Sequence, residues 1–182
     1  MLNPERDPIV NVVHDGIKEG IRVTLDNKCY PSTIKLVLSA IDTMAYLKMP
    51  KDKVDVEARD FVEWVDKYIQ FPCKERLTGL DLYGARCGML HSHKAISKAS
   101  RKGKCRIIGY MDHSVSEIRC NRNVDANFVL VSVKALVEAF FTGIDRSLVD
   151  IYSNKKKGDI ANERFKEMVH SLPYKTSKFT TC

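Results

Sequence analysis

Apolar residues recur at helical spacing through the N-terminal half of this chain, and prolines cut that pattern into short pieces. A proline inside a helix removes an amide donor and clashes with the preceding turn, so one long helix is excluded. Pro8 suits a first helical turn. From it Ile9, Val12, Val13, Ile17, Ile21, Val23 and Leu25 predict an amphipathic helix to about Asp26. Asn27 to Pro31 interrupts it, and Ser32 is predicted to cap a second helix carrying Ile34, Val37, Leu38, Ile41, Ala45 and Leu47, ended by Pro50. So short a break predicts an antiparallel pair.

A third helix is predicted from Ala58 to Phe71, with Phe61, Val62, Trp64, Val65, Tyr68 and Ile69 on its apolar side and Pro72 as its stop. Trp64 falls within that pattern and reads as a core anchor. Thr78 and Asp81 have the spacing of a capping box, which opens a fourth helix.

After His93 the character changes. Lys94, Lys98, Arg101, Lys102, Lys104 and Arg106 crowd into one segment among serines and Gly103. The stretches 105–110, 115–119 and 127–133 read as short strands of a small antiparallel sheet. From Val133 a further helix carries Leu136, Val137, Phe140, Phe141, Ile144, Leu148 and Ile151, with Gly143 weakening its middle. Residues 154–158 read as a polar junction before a last helix, Ala161 to Leu172.

The expected architecture is therefore a single domain, 1–182, mainly α, with a small antiparallel β-sheet between the fourth helix and the C-terminal helices. A helical hairpin and the fourth helix occupy about 9–93, a basic loop and the sheet 94–133, closing helices 133–172, and a mobile tail 173–182.

Composition sets the limits of function. At 182 residues, with 44% hydrophobic and 29% charged residues, the chain buries a core without staples. No apolar run approaches the ~20 residues that span a bilayer, and residues 1–8 lack a secretory signal pattern. The expectation is a cytoplasmic protein with no membrane partner. Six cysteines without a CxxC pair are expected to be reduced thiols packed as small hydrophobes. A net charge of +7 favours polyanionic partners.

The sharpest chemical feature is Arg86-Cys87-Gly88-Met89-Leu90-His91, late in the fourth helix. Leu80, Tyr83, Cys87 and Leu90 form a narrow seam expected to face the core. Gly84, Gly88 and His91 share a neighbouring line. Two glycines at that spacing leave a groove for another backbone, either a second copy across a two-fold axis or a segment of the same chain. Five residues separate Arg86 from His91, which puts them about 140° apart on a regular helix. Their convergence needs a helix end near His91, a long reach by Arg86, or a second copy.

This order of elements, with Arg86-x4-His91 late in a helix, resembles the HEPN superfamily. The stretch Asp26 to Thr33, leading to Ile41-Asp42, is similar to that group's turn between its first two helices. The Tyr83 to His91 core also resembles a set of uncharacterised bacterial proteins with Tyr-x-x-Arg-Cys-x-x-Leu-His. One departure is Cys87, where active HEPN nucleases often carry Asn, Asp or His. The resemblance covers roughly residues 9–93. It implies a HEPN-like helical bundle, homodimerisation, and a metal-independent endoribonuclease of a bacterial defence or toxin–antitoxin system, with an antitoxin or regulatory protein as partner.

In that reading Arg86 clamps a phosphate and His91 exchanges a proton, with no cofactor and no metal. His93 assists or caps the helix. Asp42 orients Arg86 or His91 through a charge-assisted hydrogen bond. Lys94, Lys98, Arg101, Lys102 and Lys104 form the RNA-binding candidates. Three rival classes remain open. One is a zinc site drawn from Cys87, His91, His93, Cys105 and Cys120; the others are a non-catalytic RNA-binding module and a protein-interaction or regulatory subunit. The chain carries no P-loop, GxGxxG or GxSxG element.

Overall fold

The computed structural model describes residues 7–71, 76–112, 115–120 and 125–168. The chain is mainly helical. The N-terminal helical run opens with α1 (Pro8–Asn11), passes through a π-helical stretch (Val12–Lys18) and continues as α2 (Glu19–Asp26). Asp7 caps it, its Oδ1 accepting from the amides of Ile9 and Val10. Next comes α3 (Tyr30–Tyr46), which begins two residues earlier than the expected Ser32 cap. Pro31 does not break the chain there; it occupies the first turn of α3, where its missing amide costs nothing.

α4 (Ala58–Tyr68) ends before the predicted Phe71, because Ile69 turns to extended backbone. Trp64 is the buried anchor its pattern predicted, donating from Nε1 to Ser147 Oγ at 3.0 Å. α5 (Gly79–Ser92) opens with the expected capping box: the Thr78 hydroxyl accepts from the Asp81 amide, and the Thr78 amide donates to Asp81 Oδ2. A short α6 (Lys98–Arg101) follows.

The sheet is mixed, which corrects the antiparallel expectation. β1 (Ile107–Met111) runs parallel to β3 (Phe128–Ser132), while β2 (Ile118–Arg119) pairs antiparallel with the other edge of β3. Three short strands in a row suggest a meander. Residues 112–127 are nevertheless long enough for the roughly dozen-residue crossover that a parallel pair needs. β3 is the central strand, and its Val129 and Val131 are fully buried.

α7 (Val133–Ile151) continues straight from β3, capped by the Ser132 hydroxyl. It runs unbroken through Gly143, whose bare Cα lets the Tyr68 carbonyl at the end of α4 and the Ile69 side chain approach closely. α8 (Lys155–Lys166) takes the supposed polar junction into its own first turn, with Asn154 as N-cap. The expected closing helix to Leu172 and the tail 173–182 extend beyond the described residues.

Phe61, Phe140, Leu38, Ile41, Met44 and Leu82 are fully buried, and Ile108, Val129 and Val131 of the sheet belong to the same apolar cluster. Each such side chain stabilises the fold by about 1.5–3 kcal/mol relative to exposure. α3 lies at the centre, packed against α2, α4, α5 and α7. α5 is wedged between α3, α4 and β1, so its accessible face is narrow.

Candidate functional site

Arg86 and Asp42 meet across the α5–α3 contact. Arg86 Nε donates to Asp42 Oδ2 at 3.0 Å, the side chains being 25% and 22% exposed. The guanidinium stands 5.9 Å from the centre of the Tyr83 ring, which packs edge-on to Phe61 at 5.5 Å. Burial opposes charge on Arg86, but the Asp42 carboxylate raises its pKa above the ordinary value, so the arginine remains a cation. For Asp42 burial outweighs the arginine's pull, and its carboxyl sits above the usual range. Burial and the neighbouring Cys87 thiol together push the Tyr83 hydroxyl up.

His91 is exposed in the last turn of α5. The helix stays regular through Ser92, so within one chain Arg86 and His91 project about 140° apart and do not converge. His93 lies just past the helix in the left-handed region, φ 54° and ψ 32°. Its amide donates to the Met89 carbonyl and that of Lys94 to the Gly88 carbonyl, which closes the helix end.

The expected core seam of α5 is its outer face. Leu80 is 53% exposed, and Tyr83, Cys87 and Leu90 are half-buried. The side turned inward carries Asp81, Leu82, Gly84, Ala85 and Gly88. Asp81, 3% exposed, accepts from the Arg106 amide at 2.8 Å, Arg106 Nε at 3.1 Å and Arg106 Nη2 at 2.7 Å, besides closing the capping box. Burial pulls its pKa up, but Arg106 and the Thr78 and Arg106 amides outweigh it and hold the carboxyl below its ordinary value.

The glycine groove is filled by the chain itself. A methyl at Gly88 would overlap the Lys94 carbonyl oxygen, and one at Gly84 would overlap the Cys105 sulfur. A second copy therefore has no entry along that line. The same packing lays the basic segment beside α5. Lys94, Lys98, Arg101, Lys102 and Lys104 are all exposed, and none pairs with a carboxylate among the described residues. By helical angle His91 lies next to the Gly84–Gly88 line, on the basic side of α5, whereas Arg86 flanks the opposite edge.

Thiols Cys29, Cys87, Cys105 and Cys120 are free; Cys120 packs against the apolar core, Cys87 and Cys105 are half-buried, and Cys29 departs from the expected packing by being exposed, while Cys73 and Cys182 lie outside the described residues. No group of three or more His, Cys, Asp or Glu is arranged to hold a metal ion among the described residues. No helix among them is long and apolar enough to cross a membrane.

A second polar cluster was not legible beforehand. Asp150 near the end of α7 accepts from Lys67 Nζ at 3.0 Å, Lys157 Nζ at 2.5 Å, Lys48 Nζ and the Tyr68 hydroxyl. Its one sequence signal is the run Lys155-Lys156-Lys157. Comparison of the chain with protein-family models, curated proteins and solved structures returns no match.

Proposed function

We propose that the chain is a HEPN-like, metal-independent endoribonuclease that acts as a homodimer, with Arg86 and His91 drawn from paired α5 helices. The observation that carries this reading is the outer face of α5. Asp42 engages the Nε edge of Arg86, and a phosphate binds the terminal nitrogens in place of the neighbouring Cys87 thiol. His91 stands exposed on the other flank of the same face, and Leu80, Tyr83 and Leu90 form an apolar stripe between them. A two-fold axis through that stripe supplies the convergence that one regular helix denies.

In the reaction, the RNA 2′-oxygen attacks the adjacent phosphorus, the bond to the 5′-oxygen breaks, and a 2′,3′-cyclic phosphate and a 5′-hydroxyl result. Arg86 binds the non-bridging oxygens and offsets their growing charge. His91 takes the proton of the 2′-hydroxyl or delivers one to the leaving oxygen. Asp42 positions Arg86. The exposed cations at Lys94, Lys98, Arg101, Lys102 and Lys104 track the backbone beyond the cut. A regulatory protein covering this face would silence the enzyme.

A second reading, RNA binding without cleavage, draws on the divergence of Arg86 and His91 within one chain. RNA cleavage in chelator separates the two. The nuclease reading expects Arg86→Ala and His91→Ala each to lower the rate at least a hundredfold with helicity and melting unchanged, and Arg86→Lys to recover only a fraction, since a point charge lacks the bidentate fork. Leu80→Lys is expected to yield a folded, inactive monomer by light scattering. Undiminished cleavage in both alanine variants rejects the mechanism; salt-sensitive binding with intact RNA favours the binding module.

A further inference from the structure

Three ammonium groups share one carboxylate at the junction of α3, α4, α7 and α8. Lys48, just beyond α3, Lys67 in the last turn of α4 and Lys157 in the first turn of α8 all donate to Asp150, as does the Tyr68 hydroxyl. Asp150 cannot neutralise them, so the cluster keeps an excess of two positive charges. Lys48 is the most enclosed, its side chain 18% exposed, against 60% for Lys67 and 44% for Lys157. Burial lowers its pKa, and repulsion from Lys67 and Lys157 lowers it further. Elsewhere the balance is reversed: Lys53 sits between two carboxylates, Glu57 and Asp60.

This cluster borders open space. A cavity of about 840 Å³ is lined by Lys48, Lys51, Lys155 and Lys156, by Pro50 and Ile160, and by the carboxylates of Asp52 and Asp159. A smaller hollow of about 150 Å³ reaches Lys67, Asp150 and Lys157 and shares Lys48 and Ile160 with the larger one. Six lysines against three aspartates line the two adjoining hollows, with Lys155 paired to Asp159 at 3.2 Å, and the larger hollow has the size of a small-molecule site. The first turn of α8 holds no acidic residue and adds its own positive end. Pro50 and Ile160 supply an apolar wall beside the cations.

We propose that this cleft binds a nucleoside di- or triphosphate, its phosphates among Lys48, Lys67 and Lys157 and its base against Pro50 and Ile160. The ligand class follows from charge and shape: several negative charges on adjacent groups answer the surplus of lysines over carboxylates, and a flat apolar body answers the wall. The site is built from elements other than α5 and is separate from Arg86 and His91.

The test is calorimetric titration of the full chain at low salt with ADP, ATP and pyrophosphate. Micromolar binding of ADP or ATP is expected, at least tenfold tighter than pyrophosphate. Lys67→Gln and Lys157→Gln, both on exposed side chains, are each expected to weaken it tenfold or more with melting unchanged, while Arg86→Ala leaves it unaltered. The last variant separates failure here from failure of the nuclease reading. Absence of nucleotide binding, or binding indifferent to both glutamine variants, overturns the proposal. Equal affinity for pyrophosphate overturns the nucleotide assignment, and displacement of bound ADP by a short RNA overturns it in favour of an RNA-binding surface.

Discussion

Asp42 and Asp81 are both half-enclosed or buried aspartates paired with an arginine, yet their carboxyls shift in opposite directions. Asp81 accepts four hydrogen bonds, from the Thr78 and Arg106 amides and two guanidinium nitrogens, which overcome its burial. Asp42 accepts one from Arg86, which does not. The consequences for stability have opposite signs. A lowered pKa means the unfolded chain binds more protons, so Asp81 contributes stability above its unfolded value, and that contribution is lost as pH falls through its folded one. A raised pKa makes Asp42's contribution fully present below its unfolded value and lost as pH rises through its folded one. Asp81→Asn is accordingly expected to cost about 3 kcal/mol at pH 7, with the gap to the wild type closing as pH falls below about 4. Chemical denaturation at the two pH values measures it. Asp42 was a candidate partner of Arg86 or His91, and the packing of α5 on α3 gives it to Arg86. Arg106 as the partner of Asp81 was not readable from the chain, because the pair joins a helix N-terminus to the residue that leads into a strand.

At the scale of the element, α5 shows where helical periodicity stops being informative. Its two stripes were visible in the chain, and hydropathy favoured Leu80, Tyr83, Cys87 and Leu90 for the core. The buried stripe instead carries Leu82 with two glycines, an alanine and an aspartate ion-paired to Arg106. Small residues win because they let the 94–105 segment and its sulfur and carbonyl atoms come close, a gain that no hydropathy scale registers. Gly88→Ala is therefore expected to destabilise by about 1–3 kcal/mol through overlap with the Lys94 carbonyl. His93 occupies a conformation that glycine adopts freely. His93→Gly is expected to raise stability by about 0.5–1 kcal/mol. If His93 serves the turn alone, RNA cleavage in that variant matches the wild type. The first turn of α8 repeats the lesson, since three successive lysines read as a junction until Asn154 caps them into a helix.

Over the whole molecule, helices and sheet share one apolar cluster, with Phe140 of α7 meeting Trp64 of α4 at 6.0 Å between ring centres and Val129 and Val131 of β3 in the same core. Phe140→Ala is expected to cost about 3–5 kcal/mol. Because the core is continuous, far-ultraviolet circular dichroism and Trp64 fluorescence should report one coincident transition; two separated transitions would show that the sheet folds apart from the helices.

The chain by itself determined the existence of its main helices and the capping box of Thr78 and Asp81, since these depend on residues a few positions apart or on periodic faces. Tertiary structure alone decided the parallel pairing of β1 with β3, the outward turn of the Leu80 stripe, the filling of the glycine groove and the convergence of Lys48, Lys67 and Lys157 on Asp150. Each of these brings together groups far apart in sequence, where strand order, close packing and charge balance are settled by neighbours that no local pattern names.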